Sequence, residues 1–395
     1  MDMTLSHKMN QFKPSIFNEL SHYKKRKEKE GNEIFDLSIG SPDLPPPSFV
    51  MDELAKGVQD PSQYGYSLTG IDAFHQSVAV YYKKAYEVQL QADQEVLMVM
   101  GSQDGLVHLP MVIVNPGDMV LVPDPGYTAY DAGIALADAQ SYSMPLREEN
   151  HFLPDLDAIP EVIREKAKLM ILNFPGNPVP AVATKDFFEK VVQFAKKYNI
   201  VVLHDFAYSE LYYGKRPISF LSIEGAKEVG IEFNSLSKSF NMAGCRIGYI
   251  VGNSTIVDGL NRLKSNLDYG VFLPIQQAAI KALQNASDFS EELRSVYKRR
   301  RDVFVKSLKE LGWNVDIPQA SMFVWAKIPK QLRSTDFTFR LMDETGIVVV
   351  PGYAFGKEGE DYVRIALTQD ESVLLRAVSK LKESAWFTSA LTREA

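Results

Sequence analysis

Short apolar runs alternate with amphipathic helical segments through the middle of this 395-residue chain. The apolar runs fall at residues 95–100, 119–122, 169–172, 200–203, 229–233 and 247–251, and the segment 185–198 is among those with helical periodicity. Strands that are apolar along their whole length are typical of parallel sheets covered by helices on both faces. The alternation therefore predicts an α/β fold built around a mostly parallel sheet.

The length of the chain and a change of pattern near each end predict two domains. A triple proline at residues 45–47 interrupts the chain, and after about residue 286 the pattern changes to a charged helix over 288–311 followed by short strands. We expect an N-terminal arm and part of a small domain at 1–47, a large domain at 48–286, and the rest of the small domain at 287–395.

Composition argues against several functional classes. The formal net charge of −7 leaves no basic footprint for nucleic acid, and the basic runs at 24–29 and 298–301 are expected to be solvated helix faces. Cys245 has no second cysteine to pair with, so we expect no internal disulfide, and no metal site is predicted. No apolar segment long enough to span a membrane and no secretion signal is found, which predicts a cytoplasmic protein without membrane partners.

Lys238 lies in a polar, glycine-containing segment between two of the apolar runs. Ser235 and Ser237 precede it and Arg246 follows it. A lysine amine can form a Schiff base with a phosphorylated aldehyde cofactor, and serine hydroxyls and a guanidinium can hold the phosphate. The alternative is a solvated loop with a chance cluster of polar residues.

Polar residues also follow other predicted strands at the edge where ligands bind in open α/β sheets. Ser102 and Gln103 begin a helix after one strand, which is either an anion site or a simple tight turn. Tyr127 follows the next strand, where its ring can stack on a cofactor or pack within a loop. The sequence pattern leaves both pairs of alternatives open.

Asp205 directly follows an apolar run, so we expect it to be partly buried and to need a positive partner such as a pyridinium nitrogen. Its alternative role is a helix N-cap. Tyr208 and Asn177 offer donors suited to a neighbouring oxyanion, while His204 is expected in the core rather than on a metal. Arg364 alternates with apolar residues on a strand, where it can bind a substrate carboxylate or form an internal salt bridge.

Taken in order, these segments resemble the class I/II aminotransferases, which are pyridoxal-phosphate enzymes of fold type I. The resemblance covers nearly the whole chain and rests on residues 39–43, 64–70, 101–103, 125–127, 173–178, 205–208, 235–248 and 351–364. It implies a large domain with a mostly parallel seven-stranded sheet between helices, and a smaller α+β domain from both chain ends. It also implies a homodimer whose active sites take residues from both subunits.

The resemblance implies a role for each matching residue. Lys238 would form the Schiff base with pyridoxal 5′-phosphate and move the proton between the substrate α-carbon and the cofactor. Asp205 would pair with the ring nitrogen, Tyr208 and Asn177 would hold the phenolic oxygen, and Tyr127 would stack on the ring. The cofactor phosphate would be held by Ser102, Gln103, Ser235 and Arg246, and by Tyr64 of the neighbouring subunit. The substrate carboxylate would be held by Arg364, Asn177 and the backbone of Gly40.

The chain departs from the family pattern in three places. Val179 and Pro180 replace the usual threonine and glycine after Asn177-Pro178, which puts the shape of the adjoining substrate loop in doubt. Tyr66 lies close to Tyr64, so either tyrosine can make the contact with the other subunit. The stretch 266–276 contains no arginine of the kind that aspartate aminotransferases use for a dicarboxylate.

Within the family, residues 39–45 and 264–270 look most like the branch that includes LL-diaminopimelate aminotransferases. The sequence therefore predicts transfer of an amino group between an L-amino acid and a 2-oxo acid, such as 2-oxoglutarate, by a ping-pong mechanism. The donor is left open among LL-diaminopimelate, aromatic and other neutral amino acids. A C–S β-lyase of the same fold is the nearest alternative. A regulatory module that binds DNA is less well matched because the chain lacks a basic patch, and an inactive scaffold is less well matched because the lysine, aspartate, tyrosine and arginine set is intact.

Overall fold

The computed structural model describes residues 3–12, 15–329, 332–384 and 386. Its strands are β1 (Phe35–Asp36), β2 (Val96–Val99), β3 (Met119–Asp124), β4 (Gln140–Pro145), β5 (Ala167–Leu172), β6 (Val201–Asp205), β7 (Gly230–Ser235), β8 (Gly248–Gly252), β9 (Phe323–Lys327), β10 (Ile347–Val348), β11 (Val350–Pro351) and β12 (Tyr362–Ala366). Its α-helices are α1 (Ile16–Lys29), α2 (Ser48–Val58), α3 (Asp72–Tyr86), α4 (Ser102–Ile113), α5 (Ala129–Leu136), α6 (Glu161–Lys166), α7 (Lys185–Tyr198), α8 (Ala226–Val229), α9 (Leu236–Ser239), α10 (Ser254–Leu267), α11 (Leu273–Gln284), α12 (Ala286–Glu310), α13 (Ser334–Thr345) and α14 (Glu371–Glu383).

The central sheet has seven strands among the described residues, in the order β2-β8-β7-β6-β5-β3-β4. β8 runs antiparallel to both of its neighbours, and the other pairs are parallel. The predicted mostly parallel seven-stranded sheet is confirmed, and every predicted apolar run overlaps one of its strands. β4 was not predicted because the exposed and polar residues of this edge strand give no apolar run.

Helices cover both faces of the sheet, as the apolar strands require. In β5, Met170 and Leu172 pack in one apolar cluster, while Leu169 and Ile171 pack in another on the opposite face. This alternation follows from the two-residue period of a strand. The sheet is thereby held rigidly between two cores, with the carboxyl ends of its parallel strands aligned at one edge.

A smaller unit joins the two ends of the chain. Phe35 of β1 pairs with Ile347 of β10 in parallel, and β11, β12 and β9 form an antiparallel sheet beside it. The predicted charged helix is α12, which lies within one or two residues of its expected limits. The domain limits at residues 47 and 286 stay a prediction.

The expectation that both basic runs are solvated helix faces is correct for exposed residues such as Lys25 but wrong for others. Lys24 on α1 forms an ion pair with Asp36, and Arg300 on α12 is 3% exposed and bridged to Asp43. These contacts join residues far apart in sequence, which a local charge pattern cannot reveal. In the described part of the chain, no helix is long and apolar enough to cross a membrane.

Candidate active site

A cavity of about 820 Å³ opens at the carboxyl edge of the central sheet, between that sheet and the smaller unit. Most residues that the sequence pointed to lie around it. Those lining it are Gly40, Ser102, Gln103, Tyr127, Asn177, Asp205, Tyr208, Ser235, Lys238, Arg246 and Arg364. Tyr64 is not among the lining residues of its own chain and is 63% exposed.

Lys238 lies on α9, a single turn that follows β7 directly. Its Nζ donates a hydrogen bond to the carbonyl oxygen of Gly40 over 2.6 Å. Burial, together with the nearby positive charges of Arg364 and Arg246, lowers the pKa of Lys238 to about 8. A buried amine with this pKa is neutral in a large fraction of molecules near pH 8, so it can act as a nucleophile or a base.

Asp205 ends β6 and is 4% exposed. Its Oδ2 accepts a hydrogen bond from the Tyr130 hydroxyl over 2.8 Å, and its Oδ1 accepts one from the backbone N–H of Ala207 over 3.2 Å. Burial raises the pKa of Asp205, while these two donors oppose the rise. The carboxylate is therefore held in a fixed orientation, and a positive group in the cavity would stabilise its ionised form.

The N-terminus of α4 and the side chain of Arg246 lie together at one end of the cavity. α4 follows Gly101, which has a φ of +76°. A Cβ at Gly101 would lie 2.6 Å from Nη2 of Arg246, so only glycine allows this close approach of backbone and guanidinium. Helix N–H groups, a guanidinium and the hydroxyls of Ser102 and Ser235 form a set of donors suited to phosphate.

Arg364 projects from β12 and is 4% exposed. Its Nη1 donates to Oδ1 of Asn177 over 2.8 Å and its Nη2 donates to the Ser38 carbonyl oxygen over 2.6 Å. Its Nε is buried and has no hydrogen-bond partner among the described residues. Burial lowers the pKa of Arg364 to about 10. No carboxylate partner is found there in the described part of the chain, which favours a ligand carboxylate over the internal salt bridge.

Aromatic and amide groups line the cavity between these two ends. Tyr127 donates from its hydroxyl to Oε1 of Gln103 over 3.1 Å, and its ring meets that of Tyr130 edge-on. Tyr208 is buried beside Phe323 at a ring separation of 5.7 Å. Burial raises the pKa of the Tyr208 hydroxyl, which therefore stays a hydrogen-bond donor at neutral pH.

The residues present fit pyridoxal phosphate. A buried carboxylate, an aromatic ring, a set of phosphate donors and a buried amine converge on one cavity, each of the type that this cofactor needs. The orphaned Nε of Arg364 adds a donor for a substrate carboxylate.

Sequence reasoning missed several residues at the site. Tyr130 was not predicted although it follows Tyr127 by one helical turn. Asn173 donates to the backbone oxygen of Asp205 over 2.8 Å, and no role was predicted for it although it lies in the segment 173–178 that resembles the family. Ser38 and Phe17 reach Arg364 only through the fold and gave no sequence signal.

Comparison with known proteins identifies the family. The family model for aminotransferase class I and II matches residues 32–381. The LL-diaminopimelate aminotransferase of Halothermothrix orenii is 45% identical over 94% of this chain and 96% of its own length. The enzyme of the same name from Dehalococcoides mccartyi is 44% identical over 96% of this chain and 98% of its own length.

Solved structures agree with this result. Substrate-bound BacF from Bacillus subtilis superimposes with a TM-score of 0.93 at 39% identity, covering 97% of this chain and 98% of that one. An aminotransferase from Staphylococcus aureus gives a TM-score of 0.90 at 34% identity, covering 97% of this chain and all of that one. The comparisons lend no support to the alternative of a C–S β-lyase. The chain belongs to the class I and II aminotransferases and is a pyridoxal-phosphate-dependent enzyme of that family.

Proposed function

We propose that this enzyme transfers the amino group of LL-diaminopimelate to a 2-oxo acid such as 2-oxoglutarate by a ping-pong mechanism. Relatives of 42–45% identity over nearly the whole chain carry that donor in their names. The observation that carries the transfer reaction is the placement of Gly40 between two groups, whereas the donor rests on the relatives. The carbonyl oxygen of Gly40 accepts from Lys238, and a Cβ on Gly40 would lie 3.6 Å from Nη1 of Arg364.

This placement sets the position of the substrate. Arg364 binds the α-carboxylate of the amino acid, which brings the α-carbon towards the amine of Lys238. Nζ of Lys238 then takes the proton from the substrate α-carbon, for which its lowered pKa suits it. The bound cofactor supplies an aldehyde for imine formation and a ring that accepts electrons.

The other residues hold the cofactor in our proposal. Asp205 keeps the ring nitrogen protonated, because an ionised and buried carboxylate favours a positive neighbour. Tyr208 and Asn177 donate to the phenolic oxygen, and Tyr127 packs on the ring. The proposed phosphate donors are Ser102, Gln103, Ser235 and Arg246.

We further propose a homodimer in which Tyr64 reaches the phosphate of the second subunit. Tyr64 and Tyr66 are 63% and 87% exposed, and their rings pack edge-on against Phe272 and Tyr269. A cluster of exposed aromatic rings is costly in water and is typical of a surface that a second copy covers. A cytoplasmic location stays a prediction.

A half-reaction tests the transferase function. The enzyme loaded with pyridoxal phosphate is mixed with one amino acid at a time and no acceptor, and the visible absorption and the released oxo acid are recorded. We expect loss of the visible band and a stoichiometric oxo acid product with LL-diaminopimelate. Release of ammonia without conversion of the cofactor, or no reaction with any amino acid, would contradict the proposal.

Mixed dimers test the contact between subunits. K238A and Y64A subunits are inactive or weak alone, but a mixed dimer contains one complete site if Tyr64 acts on the neighbouring subunit. We expect activity to return when the two variants are refolded or expressed together. If Tyr64 acts within its own chain, every site in the mixture carries a lesion and no activity returns. The same experiment with Y66A decides between the two tyrosines.

A further inference from the structure

One wall of the active-site cavity is formed by α1, the first α-helix of the chain. Phe17, Leu20, Ser21 and Lys24 line the cavity and are spaced three, four and seven residues from the first of them. This spacing places them on one face of the helix. None of them figured among the residues that the sequence pointed to as binding cofactor or substrate.

Lys24 brings a charge to this wall and is paired there with Asp36. Its Nζ donates to Oδ2 of Asp36 over 2.7 Å, and both side chains are only partly exposed, at 21% and 14%. The ammonium group has three donors, and in the described part of the chain only Asp36 accepts from it. Donors therefore remain for a ligand that enters the cavity.

Asp36 is held in place from its other side. Its Oδ1 accepts from the backbone N–H and the hydroxyl of Ser38, at 3.0 and 2.6 Å. The carbonyl oxygen of Ser38 in turn accepts from Nη2 of Arg364. Ser38 thus fixes the Lys24–Asp36 ion pair relative to Arg364, which we assign to the α-carboxylate.

The spacing between these groups suits a long substrate. The guanidinium of Arg364 lies 6.0 Å from the ring of Phe17. Lys24 follows Phe17 by two helical turns, which is about 10 Å along the axis. We therefore expect Lys24 to lie within reach of a group at the far end of a long side chain when Arg364 holds the α-carboxylate of the amino acid.

Contacts other than this ion pair also hold α1 in place. Leu20 packs with Met342 and Val348, and Lys27 forms an ion pair with Asp343 over 2.7 Å. A partly buried ion pair is also costly to desolvate, so an apolar side chain pressed against it would be poorly accommodated. A ligand with its own pair of opposite charges would compensate both groups.

We propose that Lys24 and Asp36 form a subsite for a second amino-acid head group at the far end of the substrate. Lys24 binds the distal carboxylate and Asp36 accepts from the distal ammonium group. The subsite therefore selects long diamino dicarboxylic acids over donors with neutral side chains. This inference rests on the proposed aminotransferase function and identifies what sets its donor.

The test compares three donors with the loaded enzyme: LL-diaminopimelate, L-2-aminopimelate, which keeps the distal carboxylate alone, and L-norleucine, which has no distal charge. Lys24→Met should lower kcat/KM for the two carboxylate donors by about 10- to 100-fold relative to norleucine, mainly through KM. Lys24→Arg should restore part of the loss. Lys25→Met is the matched control, because Lys25 is exposed and does not line the cavity.

The outcomes separate the two proposals. If Lys24→Met lowers kcat/KM for all three donors by the same factor, or for none, the subsite is wrong while the transferase stands. If the wild-type enzyme converts norleucine but not diaminopimelate, both the subsite and the proposed donor are overturned. If the wild-type enzyme converts no amino acid at all, the proposed function itself fails.

Discussion

Nη1 of Arg364 donates to Oδ1 of Asn177 over 2.8 Å, which joins the proposed carboxylate-binding residue to a proposed cofactor-binding residue. Arg364 comes from β12 of the smaller unit, whereas Asn177 follows β5 of the central sheet. The contact therefore spans the cavity between the two. It orients the guanidinium before substrate arrives, so little conformational entropy remains to be lost on binding.

Replacing Arg364 by lysine should weaken substrate binding although the charge is kept. Lysine lacks the planar fork that can hold Asn177, Ser38 and a carboxylate at once. We expect kcat/KM to fall by about 10- to 100-fold for the amino acid and for the oxo acid, mostly through KM. Steady-state kinetics on R364K, with R299K as the exposed control, would measure this. An R364K enzyme with unchanged KM values would contradict the assignment.

Tyr130 should act by keeping Asp205 ionised. The pKa of Asp205 is raised by burial, and the Tyr130 hydroxyl opposes that rise. In Y130F the pKa of Asp205 rises further, so a higher pH is needed to ionise it. We expect kcat at neutral pH to fall about 10-fold and the acid limb of the pH profile to move upwards.

The exposed Tyr353 provides the control for this change, since it is 55% exposed and lies outside the cavity. Y353F should leave the pH profile in place. A Y130F enzyme whose kcat falls without any shift of the acid limb would indicate that Tyr130 has only a packing role.

The fold could be predicted because its signal is local. The apolar runs that became β5 and β6 and the periodicity that became α7 are visible within single segments, and buried strands need little else to be recognised. Residues at strand ends, such as Asp205 and Lys238, could be placed at one edge because parallel strands bring their carboxyl ends together.

Other parts of the site could not be predicted because they depend on contacts across the whole chain. In the sequence, Lys24 is part of a basic run with no sign of a partner. Its partner Asp36 lies on β1, whose position depends on pairing with the distant strand β10. Arg300 also lies in a basic run, and its partly buried contact with Asp43 joins residues 257 positions apart. Charge patterns report composition along a helix, whereas ion pairs depend on which surfaces the fold brings together.

Gly101 should be required for cofactor binding. In G101A, alanine would have to adopt a positive φ, and its Cβ would lie 2.6 Å from Nη2 of Arg246. The guanidinium must move, which removes a charged donor from the phosphate. We expect the dissociation constant of pyridoxal phosphate to rise by about 10-fold or more, measured by titration of the cofactor-free protein.

Gly117 is a matched control for this substitution. It has a φ of +86°, and a Cβ there would meet nothing within 4 Å. G117A therefore introduces the same backbone strain, about 1 kcal/mol, without touching the site. Equal loss of cofactor affinity in both variants would show that the effect comes from strain rather than from displacement of Arg246.

Lys238 should make the stability of the cofactor-free protein depend on pH in a defined window. Its pKa is lowered to about 8 in the folded protein from its ordinary value of 10.5. Between these two values the unfolded chain binds more protons at this lysine than the folded chain does, so the free energy of unfolding rises with pH. The whole shift corresponds to about 3 kcal/mol.

Substitution by methionine removes this dependence, because the side chain no longer titrates. We therefore expect the free energy of unfolding of cofactor-free K238M to exceed that of the wild type near about pH 7. This excess should shrink by up to about 3 kcal/mol between about pH 7 and about pH 10. Urea denaturation at both pH values would measure it, and K185M, on the exposed face of α7, controls for loss of a surface lysine. A stability difference between K238M and wild type that stays constant with pH would mean that the amine keeps its ordinary pKa, and the proposed role of Lys238 as a base near neutral pH would lose its physical support.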